Sequence, residues 1–299
     1  MKIVIGSRGS QLALWQARHI ESRLQSLGAE TSIEIIRTTG DKITDVALSK
    51  VGGKGLFTKE LEEALLDGRI HVAVHSMKDM PTDLPAGLAL AAIPEREDPR
   101  DAIVGSTLAA LKQGARVGTS SLRRAAQLKA LRPDLTVESV RGNLDTRLRK
   151  LDEGQYDAIL LAAAGLRRLG WASRIAELLD PNTMCPAVGQ GALAVEAVEG
   201  SEAAALCAKL DHAPTRAAVT AERALLAALG GGCQIPIGAH ATLDPEGLHI
   251  HAIVAAQDGS EMVRADSSGS PADAAALGET LAAQLRAQGA GRILAGVAT

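Results

Sequence analysis

The chain has 299 residues, enough for roughly two or three domains of ordinary size. Hydrophobic residues make up 46% and charged residues 22%, with a net charge of −3; this excludes whole-chain disorder or coiled coil and by itself suggests no polyanionic partner. The apolar run Ala158–Ala164 falls far short of the roughly 18 residues that a membrane-spanning helix needs, and Met1–Gly6 opens no leader, so a cytosolic protein without a membrane partner is expected.

The first half reads as alternating strands and helices. Lys2–Gly6 is a short strand, and Leu12–Leu27 has the apolar spacing of a helix that stops at Gly28. Thr31–Arg37 alternates as a strand, Lys59–Asp67 is helical, and Ile70–His75 is again a strand. This rhythm predicts an α/β domain with a largely parallel sheet. Pro81–Pro99, rich in proline and charge, reads as a crossing between lobes. A second α/β set follows: strand Arg116–Gly118, helix Ser121–Leu131, strand Thr136–Val140, helix Leu144–Leu151 and strand Tyr156–Ala162. Pro186–Gly191 is a second crossing, and two crossings suggest a hinged cleft. From about Ala213 the pattern changes to a helix, Arg216–Leu229, then alternating segments Ala239–Leu243, Leu248–Ala255 and Glu261–Ser267 of a small antiparallel sheet, covered by a last helix, Ala272–Gln288.

Aromatic residues are 1% of the chain: Trp15, Phe57, Tyr156 and Trp171. The core must therefore be aliphatic, and stacking of nucleic-acid bases on aromatic platforms is almost excluded. Cys185, Cys207 and Cys233 are odd in number and far apart, which indicates neither a zinc knuckle nor a disulfide framework. Charge is unevenly spread. Lys112–Lys150 holds ten cations, seven of them arginine, against three acids; its net +7 leaves −10 for the rest. A solvated helix face is the ordinary meaning of such a run, but the planar fork of arginine suits carboxylate or phosphate.

Two turns carry the same chemistry. Gly6–Ser10 and Val117–Arg124 each lie between a strand and a helix and put small hydroxyl residues, backbone N–H groups and arginine at a helix N-terminus. Simple capping explains one such turn; two in matching positions suggest an anion clamp. Arg141-Gly142-Asn143 adds a third cationic strand end, with Arg147 one turn on. Ser76, Lys78 and Asp79 follow a strand, at the end where α/β folds bind ligands. Lys78 beside Asp79 is either a surface pair or, among arginines, an ionised carboxylate suited to stabilising a cation or moving protons. His71 and His75 would share a helix face but lie roughly 13 Å apart on a strand, so no metal site is expected. Gly52-Gly53-Lys54-Gly55 lacks the remainder of a phosphate-binding P-loop. A buried structural role is the usual fate of a cysteine, but Gly230-Gly231-Gly232-Cys233 leaves the thiol unshielded, and a nearby arginine cluster would make it nucleophilic.

Taken together and in order, Ile5–Ser10, Gly52–Phe57, His75–Asp79, Thr119–Arg124, Arg141–Asn143, Pro186–Gly191 and Gly231–Cys233 resemble the porphobilinogen deaminase (hydroxymethylbilane synthase) family nearly end to end. The resemblance implies two lobes like those of periplasmic binding proteins around a hinged cleft, plus a small α+β C-terminal domain. The domains would be 1–94 with 192–212, 95–191, and 213–299. It implies a monomeric cytoplasmic transferase of tetrapyrrole and haem biosynthesis. Cys233 would hold a dipyrromethane primer through a thioether; four porphobilinogen units would be added to the growing oligopyrrole with loss of ammonia, and hydrolysis would release hydroxymethylbilane. Asp79 would be catalytic, stabilising the cation left when ammonia departs. Lys78, Ser121, Arg123, Arg124, Arg141 and Arg147 would bind the cofactor, and Arg8, Ser10, Phe57, Ser76, Thr119, Ser120 and Arg168 the substrate. Cys185 lacks the Gly-Gly-Cys setting and is not given the cofactor. Pyrrole acetates and propionates would account for an arginine-rich site in an acidic protein. A non-catalytic two-lobe anion-binding protein leaves the Gly-Gly-Cys turn unexplained, and nucleic-acid binding is opposed by the scarcity of aromatics.

Overall fold

The structure, a computed structural model, describes residues 1–42, 55–231 and 235–296. Its strands are β1 (Lys2–Ser7), β2 (Glu30–Ile35), β3 (Val72–Ser76), β4 (Leu88–Ala92), β5 (Asp101–Val104), β6 (Arg116–Gly118), β7 (Thr136–Glu138), β8 (Ala158–Ala162), β9 (Ile175–Leu178), β10 (Leu193–Val198), β11 (Ile237–Asp244), β12 (Gly247–Ala255) and β13 (Met262–Gly269). They form two five-stranded sheets, ordered β2-β1-β3-β10-β4 and β7-β6-β8-β5-β9, and a three-stranded sheet, β11-β12-β13. The chain divides into two compact units, Met1–Glu97 with Ala192–Arg216, and Asp98–Gly191 with Ala217–Thr299.

The two larger sheets share one plan. β1 runs parallel to β2 and β3, just as β6 runs parallel to β7 and β8. The fourth strand, β10 or β5, is antiparallel to both of its neighbours. Half of the pairings in each sheet are therefore antiparallel, yet four of its five strands run the same way, so the expected largely parallel sheet is present with one reversed strand inserted. The reason is connectivity: β5 and β10 are the first strands after each passage of the chain from one unit into the other, and they enter from the opposite end. The Pro81–Pro99 stretch also holds more than a crossing, because Leu88–Ala92 pairs with β10.

In the first unit, the helix Gln11–Ser26 starts at Ser10, whose hydroxyl accepts from Ala13 N. Ala13, Gln16, Ala17, Ile20 and Leu24 form its buried stripe. That stripe packs on Ile3, Ile5, Val72 and Val74, while Ala73 on the other face of β3 meets Leu61, Ala64 and Leu65 of the helix Lys59–Leu66. Each fully buried Ile or Leu among these contributes about 1.5–3 kcal/mol, which is how an almost aromatic-free core holds.

In the second unit, the helix Leu122–Leu131 packs beside β6–β8, and the alternation of β12 sends Leu248, Ile250, Ala252 and Val254 into a separate core. The helices Ala213–Ala228 and Ala274–Ala287 cover that core with Leu225, Leu277, Leu281 and Leu285. They approach so closely that a Cβ at Gly278 would collide with the Ala221 carbonyl. Opposite β12 side chains, Ile253 and Ala255, pack on Ala126 and Cys185, so the small sheet is fastened to the helix that carries Arg123 and Arg124. Among the described residues, no helix is long and apolar enough to cross a membrane.

Candidate functional site

The expected site residues gather at carboxyl ends of strands in each unit. In the first, β1 ends at Ser7 and the chain turns through Arg8 into the capped helix. Arg8 Nε lies 3.1 Å and Nη2 2.5 Å from Asp41 Oδ1, and the guanidinium carbon lies 4.1 Å from the centre of the Phe57 ring. Burial alone would raise the Asp41 carboxyl, but Arg8, together with the Thr38 hydroxyl and N–H, holds it below the usual carboxylate range. β3 runs into a single 3₁₀ turn, Met77–Asp79, pinned by Met77 N donating to Ala192 O at 3.0 Å. Lys78 and Asp79 are both half-buried there, and Ser76 accepts from Gln16 Nε2 at 2.9 Å. One residue back, His75 is buried against Glu196, with Nε2 3.0 Å from Oε2.

In the second unit, the turn after β6 is organised by hydroxyls. Ser121 N donates to Thr119 Oγ1, Ser121 caps its helix by accepting from Arg124 N, and Ser120 donates to Val140 O. Capping is thus realised at both Ser10 and Ser121. Arg123 and Arg124 point inward and converge on Asp101, the first residue of β5, which is 0% exposed. Arg123 Nη1 donates to Oδ2 at 2.7 Å and Arg124 Nε to Oδ1 at 2.9 Å; Gln190 Nε2 adds a bond to Oδ1 at 2.8 Å. Burial pushes the Asp101 carboxyl up, yet the two guanidinium groups outweigh it and keep it ionised far below the ordinary range. Arg123 Nε is buried and has no hydrogen-bond partner among the described residues. Past β7, Gly142 takes φ 104°, a left-handed conformation that lets the chain turn between Arg141 and the next helix. Arg147 Nε closes that turn on Gly142 O at 2.8 Å, and Arg168 Nη2 donates to Gly191 O at 2.6 Å.

The sequence pattern did not single out Asp41, Asp101, Gln190, Glu196 or Glu222. Glu222 is fully buried and accepts from Gly189 N at 2.6 Å and Ala241 N at 2.8 Å, joining the second crossing to β11. A lone acid in an apolar stretch gives no signal until the fold supplies its partner, 22 residues away for Asp101 and Arg123. Cys185 and Cys207 are buried, and burial pushes both thiols up to about 12, so neither is a ready nucleophile. Cys233 and Gly52-Gly53-Lys54 lie outside the described residues. His71 is exposed and His75 buried, and among the described residues no three His, Cys, Asp or Glu side chains cluster to hold a metal.

The donor set can be tested against a cofactor. Guanidinium, hydroxyl and backbone N–H groups among the described residues fit a ligand made of carboxylated pyrroles, and Arg123 Nε, without a hydrogen-bond partner there, is a buried donor of that kind. Residues 3–205 match the family model "Porphobilinogen deaminase, dipyromethane cofactor binding domain", and residues 216–287 match "Porphobilinogen deaminase, C-terminal domain". A porphobilinogen deaminase of Methylobacillus flagellatus is 56% identical over 299 residues, covering 98% of this chain and 96% of that protein. Those of Syntrophobacter fumaroxidans and Chromobacterium violaceum are 52% and 54% identical, covering 98% and 99% of this chain and 96% and 98% of theirs. A TRAP periplasmic solute binding protein from Desulfovibrio salexigens superposes with a TM-score of 0.42 at 9% identity, over 71% of this chain and 72% of that one, too loosely to weigh beside the family match. The chain belongs to the porphobilinogen deaminase family.

Proposed function

We propose that Asp79 is the catalytic carboxylate of this chain, that Cys233 carries its primer, and that the arginine-bearing strand ends of each unit bind pyrrole carboxylates. The reaction is that of the family: four porphobilinogen units are condensed head to tail, with loss of ammonia, and hydroxymethylbilane is released by hydrolysis. The cofactor is dipyrromethane, which when bound supplies the pyrrole carbon to which the first unit is joined. Every unit added brings an acetate and a propionate, so negative charge accumulates. Arg8, Arg141, Arg147 and Arg168 neutralise it, assisted by Ser10, Ser76, Lys78, Thr119, Ser120 and Ser121; Arg123 and Arg124 contribute the donors that Asp101 does not occupy.

Asp79 lies at the end of β3 in a turn held by the β3–β10 ladder, so its carboxylate is placed before substrate arrives. It faces the positive charge that develops on the substrate as ammonia leaves, and it accepts the pyrrole N–H. Phe57, already held against Arg8, covers a pyrrole face. The working protein is a cytoplasmic monomer with no nucleic-acid partner, built of domains 1–94 with 192–212, 95–191 and 213–299.

The observation that carries this reading is the half-buried Asp79 on a turn fixed by main-chain bonds, in a chain of this family. Intact-mass measurement of active protein should exceed the polypeptide mass by two pyrrole units, and Cys233→Ser should show the bare polypeptide. Asp79→Asn should keep the adduct yet slow condensation by about 100- to 10,000-fold, the range for a positioned acid–base group. Active protein of unmodified mass would overturn the Cys233 assignment, and normal turnover by Asp79→Asn would overturn the role of Asp79.

A further inference from the structure

Beneath the strand that leads into the Asp79 turn lies a buried group of three titratable side chains. His75 of β3 is 5% exposed, Glu196 of β10 is 0%, and Glu62 of the helix Lys59–Leu66 is 7%. His75 Nε2 meets Glu196 Oε2 at 3.0 Å, a diagonal cross-strand contact, since His75 stands opposite Ala194. Glu62 Oε1 and Glu196 Oε1 are both buried without a hydrogen-bond partner among the described residues. The charged groups facing Glu62 are Glu196, His75 and Glu63 of its own helix; from β1 and β4 the neighbours are apolar, Val4 and Leu88. Two carboxylates facing each other in a dry site repel, and a proton kept on one of them relieves the repulsion.

We propose that Glu62 keeps its carboxyl proton beside Glu196 and His75, and that this cluster positions Asp79 by fastening its strand to the helix that begins directly after Phe57. The helix contributes Glu62 one turn beyond the Phe57 turn, and β3 contributes His75 four residues before Asp79. Gln16 holds the other face of the same strand end through Ser76. Burial, then the Glu196 charge, pushes the Glu62 carboxyl up, which agrees with a retained proton. The inference rests on the role given to Asp79 above, and His75 is a positioning residue that does not itself touch substrate.

The test uses primer-loaded protein. His75→Leu should lower kcat by about 100-fold, the scale of a misplacement near 1 Å, with KM and primer loading little changed. His75→Gln, which offers an N–H to Glu196 from nearly the same place, should restore most of the rate. In the Asp79→Asn background, His75→Leu should have no further effect, because both act through one group. Glu62→Gln, which cannot lose the proton, keeps the volume and should extend kcat to higher pH. Multiplicative losses in the double variant, full kcat for His75→Leu, or an unchanged pH profile for Glu62→Gln would overturn the proposal. Normal turnover by Asp79→Asn would instead sink the Asp79 reading and this inference with it.

Discussion

Replacing Asp101 with asparagine tests the electrostatic centre of the second unit. Four donor contacts converge on this fully buried carboxylate: Arg123 Nη1 at 2.7 Å and Nη2 at 3.2 Å, Arg124 Nε at 2.9 Å, and Gln190 Nε2 at 2.8 Å. Asparagine offers one acceptor oxygen and turns an NH₂ toward the remaining donors, so two buried guanidinium groups lose their counter-charge. Removing one side of a buried ion pair costs about 3–5 kcal/mol, chiefly by leaving charge uncompensated. With an m-value of about 3 kcal/mol per M, the urea midpoint of the second unit should fall by about 1–1.7 M. The pH dependence has a definite sign. Asp101 is depressed in the folded state, so its stabilisation is complete above the unfolded carboxylate value and is lost only as pH falls below roughly 4. The gap between the native protein and the variant should therefore stay constant from pH 5 to pH 8. Arg123→Leu leaves Arg124 and Gln190 on Asp101 and should cost less, and the double variant should cost less than the sum. A loss below about 1 kcal/mol, or a gap that varies between pH 5 and 8, would refute this account of the network.

Glu62 has the opposite sign. Its carboxyl is raised in the folded state, so the native protein should lose stability as pH rises above about 4.5 through the folded value, while Glu62→Gln should not; melting curves of both from pH 4 to 8 would show the difference widening with pH, and a constant difference would contradict the burial argument. Cys185 and Cys207, with thiols near 12, should resist iodoacetamide in the native state and react after unfolding; peptide mapping that finds either alkylated in folded protein would refute their inertness.

How much of the fold the chain displays depends on whether its partners are local. Helices announced themselves because caps and apolar stripes are local: Ser10 and Ser121 mark real N-termini, and Gly28, at φ 88°, marks a real end. The alternation of Leu248, Ile250, Ala252 and Val254 likewise made β12 legible. By contrast β4, β5, β9 and β10 are short segments whose identity comes from distant pairing, such as Ala102 with Leu161 and Leu178. Among them β10 and β5 each run against the other four strands of their sheet. The expected last helix is present as Ala274–Ala287, and beyond it Gly289, at φ 103°, introduces a short helix, Ala290–Ala295, that the sequence pattern did not single out.

The site was legible as chemistry but not as geometry, and its arginines show why. Arg123 and Arg124 are neighbours in the most basic stretch, and composition gives no reason to separate them from Arg141 or Arg147. The fold does separate them: the helix capped by Ser121 carries both side chains to Asp101, the first residue of β5. Their guanidinium groups are 100-degree neighbours on one helix, yet Nη1 of one and Nε of the other reach the same carboxylate, which only long side chains allow. Asp101 offsets one of their two positive charges and fixes both groups, so they offer an incoming carboxylate a reduced net field and oriented N–H groups that cannot turn away. Arg8 lies between the two cases. Its counter-ion Asp41 is a quarter exposed, and a ligand carboxylate must compete with it while Phe57 keeps the guanidinium plane in place. Affinity for an oligopyrrole thus depends less on the count of arginines than on how many can exchange a protein carboxylate for a ligand one. By that criterion Arg8→Leu should weaken substrate binding, whereas Arg123→Leu should first weaken the fold.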